Sequence, residues 1–281
     1  MPYLRRLFLV PPDFEDALSA DLWSAGTLGV RSDAAPDGRV LLEAWFAPEA
    51  PAVEIDWPNT ELTAEEVVPE TDWLAVYRER AQPFAVASTL FVDPREPEEP
   101  AVAVPAGRTL LRLPARAAFG IGSHESTSLA LELIETLDLA EKAVLDAGTG
   151  TGVLCFAALL RGARLAVGYD VDPASPFHAR DNSRLNGFRP LLFAGFSHAL
   201  RDAPRFDLAL INIVPEQILP EMPALTRQLR PGGELILSGI LAERGRQVLD
   251  RMRGLGYGEV DRREAGDWVA FRVSPIPPGT P

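Results

Sequence analysis

The 281-residue chain is predicted to fold as an α/β protein, with a small α+β domain ahead of a doubly wound, mostly parallel sheet. Three observations predict it. The run K-A-V-L-D-A-G-T-G-T-G-V-L-C, Lys142 to Cys155, reads as a buried strand, a tight glycine-rich turn and a helix start. A second strand, Leu165 to Tyr169, ends in Asp170, 22 residues after Gly148. Apolar strand runs then alternate with helical patterns until a closing hairpin.

The N-terminal elements come first. Tyr3 to Val10 has a strand pattern, and Asp13 to Ala25 a helical one that stops at Gly26. Leu28 to Arg31 and Val40 to Phe46 are strands joined by a turn at Pro36-Asp37-Gly38. This order suits a ferredoxin-like α+β module over residues 1–62, with Trp23, Trp45 and Trp57 as core candidates. Thr63 to Arg80 reads as a linker helix with Asp72-Trp73 at its middle, and Trp73 and Tyr77 share one of its faces. Asp93 to Pro100, rich in Pro and Glu, reads as an exposed loop that completes a 63–100 linker.

The second domain is expected over residues 101–274. Its strands are Ala143 to Leu145, Leu165 to Tyr169, Leu191 to Phe193, Phe206 to Ile211, Glu234 to Ser238, Tyr257 to Arg263 and Trp268 to Val273. Helices are expected from about Pro173 to Asn186, capped by Gly187, from the Asn212 loop to about Leu229, and from about Ala242 to Leu255. The tail, residues 275–281, is expected to be disordered.

The glycine loop and Asp170 point to a nucleoside ligand. Glycine lets the backbone turn sharply and approach a ligand closely, and an acid at the tip of the second strand can accept both ribose hydroxyls. A dinucleotide site has G-x-G-x-x-G with a helix N-terminus facing pyrophosphate. Here the spacing is G-x-G-x-G, and Asp146 stands two residues before Gly148. That acid suits a cationic ligand and repels a pyrophosphate, which favours S-adenosylmethionine over NAD. With the strand Phe206 to Ile211 ending in Asn212-Ile213-Val214-Pro215, and the Pro231-Gly232-Gly233 turn before the next strand, the pattern resembles a class I (Rossmann-like) S-adenosylmethionine-dependent methyltransferase with a seven-stranded sheet.

One further motif narrows the resemblance. Ala118 to Leu131 reads A-F-G-I-G-S-H-E-S-T-S-L-A-L. It resembles the flap motif A-F-G-T-G-x-H-x-T-T-x-L-x-L of the PrmA family, which methylates protein eleven of the large ribosomal subunit. The similarity extends to Asp170-Val171-Asp172-Pro173, Asn212-Ile213 and Leu237-Ser238-Gly239-Ile240-Leu241, and covers nearly all of residues 115–275. The resemblance implies that Thr127, Gly148, Asp170 and Asn212 contact the cofactor, and Phe119 and Gly150 join them from the two glycine loops. It further implies that Gly148 admits the methionine moiety, Asp170 binds the ribose diol, Thr127 closes the flap, and Asn212 orients the acceptor amine. Asp146 has two readings, a bond to the loop itself or contact with the α-ammonium group. His124 has two as well, loop bracing or chemistry, while His178 and His198 match nothing. Ile121 and Ser126 depart from the family's threonines, as does the Asn212 loop after its second residue.

Charge bears on the partner. Residues 1–100 hold 20 acidic residues against 7 arginines, an excess of 13 negative charges, whereas residues 101–281 balance at 20 each. The acidic module suits a basic protein partner steered by a long-range field, or serves solubility alone. No basic stripe for nucleic acid is visible, so the partner expected is a basic large-subunit ribosomal protein, with the enzyme acting as a monomer. No run approaches the roughly 20 apolar residues that span a bilayer, and the first residues lack a signal-peptide pattern, so a cytoplasmic enzyme is expected. A single cysteine, Cys155, excludes an intrachain disulfide and a Cys-rich zinc site, and no metal is expected. The function so implied is N-methylation of lysine ε-amines, the N-terminal α-amine, or both. The alternatives are another protein or RNA as acceptor, or a cofactor-binding protein with reduced catalysis.

Overall fold

A computed structural model describes residues 2–53, 55–68, 81–115, 120–200 and 205–277. The chain divides into two compact units, residues 1–73 and 74–281.

In the first unit, β1 (Tyr3–Val10) alternates inward and outward along its length, as a strand with one buried face must. A turn of 3₁₀-helix leads into α1 (Glu15–Ser24), followed by β2 (Gly29–Ala34), β3 (Val40–Phe46) and β4 (Glu61–Val68). The antiparallel sheet has the order β2-β3-β1-β4, the ferredoxin-like arrangement. Phe8, Leu18, Leu22, Leu42 and Phe46 form its core. The tryptophans contribute less than expected. Trp57 packs against the core with its ring on Phe14 and its indole N–H donating to Asp21 at 2.7 Å, but Trp23 is 57% exposed. Residues 63–68, expected to open a helix, lie in β4. Antiparallel pairing along the free edge of β1 overrides the helical preference of Ala64-Glu65-Glu66. The rest of that segment, with Trp73 and Tyr77, falls outside the described residues.

The second unit opens with a small sheet absent from the sequence expectation, β5 (Phe84–Val86), β6 (Leu90–Asp93) and β7 (Thr109–Arg112). Asp93 is not on an exposed loop. It ends β6 nearly buried, and Arg95 holds its carboxyl below the usual range against the cost of burial. Next come α2 (Glu125–Glu135), β8 (Ala143–Ala147), α3 (Val153–Leu160), β9 (Leu165–Asp170), α4 (Ala174–Asn186) and β10 (Leu191–Ala194). They are followed by β11 (Phe206–Asn212), α5 (Pro215–Ile218), α6 (Met222–Arg227), β12 (Leu229–Leu241), α7 (Gly245–Gly254), β13 (Tyr257–Ala265) and β14 (Trp268–Pro275).

The main sheet has seven strands in the order β10-β9-β8-β11-β12-β14-β13. All pairings are parallel except those of β14, so the expected doubly wound sheet is present. Every residue of β8 is buried because both faces are covered. Val144, Leu208 and Leu210 face one core layer, and Leu145, Ala209 and Ile211 face the other.

Three details depart from expectation. The helix after Asn212 is split into α5 and α6, because Pro220 has no N–H to continue it. Strand β12 starts earlier than expected, at Leu229, and its pairing with β11 jumps from Leu229 to Glu234, which accommodates the Pro-Gly-Gly turn. Finally, the start of the tail is ordered, since Pro275 pairs with Tyr257 and Ile276 N–H donates to the Gly256 carbonyl at 2.8 Å.

Candidate active site

The carboxyl ends of β8, β9 and β11 border a cavity of about 760 Å³ in the second unit. Ligands of open α/β sheets bind at this edge, where the strand order reverses. Thr127, Gly148, Gly150, Asp170 and Asn212 all line it, so five sequence candidates converge on one site. Phe119 lies outside the described residues.

The glycine loop is held from below. The N–H groups of Gly148 and Thr149 both donate to the Tyr169 carbonyl at 2.9 Å. Gly148 has φ +75, and a Cβ there would stand 2.6 Å from Ile213 Cδ1. Its bareness therefore serves the turn and the packing of Ile213, besides the ligand approach expected of it. Asn182 Nδ2 donates to the Thr151 carbonyl at 3.0 Å, and Thr151 Oγ1 donates to the Gly120 carbonyl at 2.6 Å. The second bond ties the 120–122 glycine segment to the loop.

Asp146 is fully buried beneath the loop and does not line the cavity. One carboxylate oxygen accepts from Thr149 Oγ1 at 2.8 Å, and the other has no partner among the described residues. Loop bracing is thus the contact observed. Burial pushes its carboxyl up to about 6, the Thr149 hydrogen bond opposes this, and the charge of Asp170 adds to it. Burial likewise pushes the Cys155 thiol well up, which suits a core residue and not a nucleophile.

Asp170 sits at the tip of β9. Its Oδ2 accepts from Gly150 N–H at 2.9 Å and its Oδ1 from Asp172 N–H at 3.0 Å. Each oxygen retains a second lone pair, so the carboxylate is oriented yet still able to accept two hydroxyls. Thr127, in the first turn of α2, is fully buried, and its Oγ1 accepts from Asn212 Nδ2 at 3.0 Å. That bond fixes Thr127 in place. Asn212 Oδ1 is left buried without a partner. Because Asn212 lines the cavity, a small turn of its amide would offer this orphaned acceptor to a ligand N–H.

His124 caps α2, accepting from Ser126 N–H at 3.2 Å, and its ring meets Trp268 edge-on at 4.7 Å. It does not line the cavity, and bracing of this turn is the contact observed. Ser238 Oγ donates to the Ser126 carbonyl at 2.6 Å, which anchors the same turn to β12.

Several site residues escaped the sequence reading. Gly239 has φ +77, and a Cβ on it would come within 2.9 to 3.1 Å of the Ile213 backbone, so it makes room for the Asn212 loop. It stands inside the quoted Leu237 to Leu241 motif, where it could have been singled out. Ser197 and Glu221 also line the cavity and are joined by a 2.7 Å hydrogen bond, but neither lies in a motif.

The residues present suit a ligand with a ribose, a polar amino-acid end and an electrophilic cation. Comparison with known proteins agrees. A family model described as ribosomal protein L11 methyltransferase (PrmA) matches residues 45–274. The chain is 34% identical to the ribosomal protein L11 methyltransferase of Deinococcus radiodurans, over 94% of this chain and 96% of the relative. It is 31% identical to that of Azotobacter vinelandii, over 96% and 98% respectively. A solved ribosomal protein L11 methylase from Lactobacillus delbrueckii subsp. bulgaricus matches with a TM-score of 0.62 at 28% identity, covering 69% of this chain and 99% of that one. The chain belongs to the ribosomal protein L11 methyltransferase (PrmA) family.

Proposed function

We propose that the protein transfers methyl groups from S-adenosylmethionine to amines of ribosomal protein L11, lysine ε-amines and the N-terminal α-amine being the acceptor class. The observation that carries this reading is the convergence of Thr127, Gly148, Gly150, Asp170 and Asn212 on one cavity at the switch point of a family-typical sheet. When bound, S-adenosylmethionine supplies a methyl group already activated by a sulfonium.

The chain's own task is alignment. Asp170 takes the ribose hydroxyls while the glycine loop seats the amino-acid end. The unpartnered Asn212 oxygen accepts from the acceptor amine and points its lone pair toward the methyl. Asp146 contributes negative charge below the loop and so favours a cationic donor. The acceptor must be neutral to attack, and desolvation beside a cation lowers an amine's pKa, so water suffices as proton sink. Among the described residues lining the cavity, none is placed as an obligatory base.

The acidic first unit, about residues 1–62 by sequence and extended to Val68 by β4, is proposed as the recognition module for the basic substrate. A monomer acting without direct nucleic-acid contact fits this reading. Among the described residues, no helix is long and apolar enough to cross a membrane.

Tritiated methyl transfer to purified ribosomal protein L11, a release factor and ribosomal RNA, offered separately, tests the acceptor. Label in L11 alone is expected. Label in RNA or the release factor, with none in L11, would reject the substrate while leaving the enzyme class intact.

A further inference from the structure

One end of the cavity lies by Phe196 and Ser197, just past β10. The strand order lays the tips of β11, β8, β9 and β10 side by side. With the amino-acid end at the glycine loop after β8 and the ribose on Asp170 after β9, the base of a nucleoside must lie toward β10. The chain just past β10 is tied to that point, since Gly195 N–H donates to the Asp170 carbonyl at 2.8 Å.

Two polar groups line the cavity there with hydrogen-bonding capacity to spare. Ser197 is 2% exposed, and its hydroxyl donates to Glu221 Oε2 at 2.7 Å. This bond fixes the carboxylate of Glu221 and leaves Oε1 without a partner among the described residues. Ser197 also opens a 3₁₀ turn, so its backbone N–H has no helical acceptor and no partner among the described residues. The nearby Asp172 is occupied instead with capping α4, accepting from Ala174 N–H at 2.9 Å and Ser175 Oγ at 3.2 Å.

A fixed acceptor beside a free N–H donor is the complement of one edge of adenine, whose 6-amino group donates and whose N1 accepts. Hypoxanthine reverses both, presenting O6 as an acceptor and N1–H as a donor. We propose that Glu221, oriented by Ser197, reads the 6-amino edge of the cofactor's base and is the residue that selects adenine. The inference rests on the cofactor assignment above and deepens it. Glu221 lies at the break between α5 and α6, on the segment that follows the Asn212 loop. Reading the base therefore also fastens the segment that carries the acceptor site.

The test is calorimetric titration of the full chain with S-adenosylhomocysteine and S-inosylhomocysteine, for the wild type, Glu221→Gln and Glu221→Ala. The wild type should prefer the adenosyl compound by at least about tenfold, as expected for a hydrogen bond to a charged group set against a mismatch. Glu221→Gln presents an amide that can turn its NH₂ toward O6, so the preference should shrink by about tenfold or reverse. Glu221→Ala should bind both compounds weakly and with little preference. Melting curves check that both variants are folded, and the wild-type preference stands as an arm independent of any variant. Equal wild-type affinity for the two compounds would overturn the proposal. So would an unchanged preference in both variants. Wild-type binding to neither compound would instead reject the cofactor assignment itself.

Discussion

Asp146 is the residue where the stability of the loop and the proposed preference for a cationic ligand meet. Its folded-state pKa, about 6, lies above its ordinary value because the carboxylate is fully buried. The folded protein therefore holds the proton more tightly than the unfolded chain. Its contribution is most favourable below about pH 4 and declines as the pH rises to about 6, by roughly 3 kcal/mol. Asp146→Asn should flatten that decline in the ligand-free protein and weaken binding of the cationic cofactor, as followed by calorimetric melting from pH 4 to 8 and by titration. An unchanged pH slope would contradict the assignment. Gly239→Ala should lower kcat more than tenfold and cost about 1–3 kcal/mol of stability, because its Cβ drives into the Ile213 backbone at positive φ. Chemical denaturation and steady-state assays read the two effects. Residues whose position is set by local chain geometry were legible in the sequence: the loop glycines Gly148 and Gly150, Asp170 at a strand tip, and Asn212 at another all line the cavity. Ser197 and Glu221 were not, because their pairing joins positions 24 apart with no local signature.

At the scale of elements, the central strands were legible because most of each reads as an apolar run, such as Ala143 to Leu145 ahead of the buried Asp146 in β8. Edge elements were not. Strand β4 is mostly exposed and carries three glutamates, and its pairing with β1 makes it a strand. The hairpin of β5 and β6 is short and flanked by prolines, and distant elements, β7 and a helix, hold it. Glu135 on α2 accepts from the backbone N–H and hydroxyl groups of both Ser88 and Thr89, fastening the hairpin turn. Desolvation works against this carboxylate, but those four bonds outweigh it and hold its pKa below the usual value. A depressed acid contributes stability at neutral pH that is lost as the pH falls through its folded value. Glu135→Ala should thus destabilise the protein by about 1–3 kcal/mol at pH 7. The difference from wild type should narrow as the pH falls below the ordinary carboxylate range, as measured by denaturant midpoints. A penalty independent of pH would instead point to packing alone.

For the whole molecule, the sequence placed the charge asymmetry, and the structure adds that the basic groups of the first unit are already engaged. Arg5 pairs with Glu43 and Glu66, Arg6 with Glu65, Arg31 with Asp33, and Arg39 with Asp37 and Glu61. The remaining acids leave a negative field that suits a basic partner and weakens with salt. Removing residues 1–68, a cut that spares no fragment of β4, should abolish methylation of ribosomal protein L11 while S-adenosylhomocysteine still binds. Undiminished methylation by the truncated chain would remove the first unit from substrate recognition. The central claim, that this fold and site carry out amine methylation on L11, is tested most directly by intact-mass spectrometry of L11 incubated with the protein and S-adenosylmethionine. The account predicts mass gains in whole methyl steps that disappear in Asp170→Ala. An unmodified L11, from wild-type protein shown to bind S-adenosylhomocysteine, would contradict it.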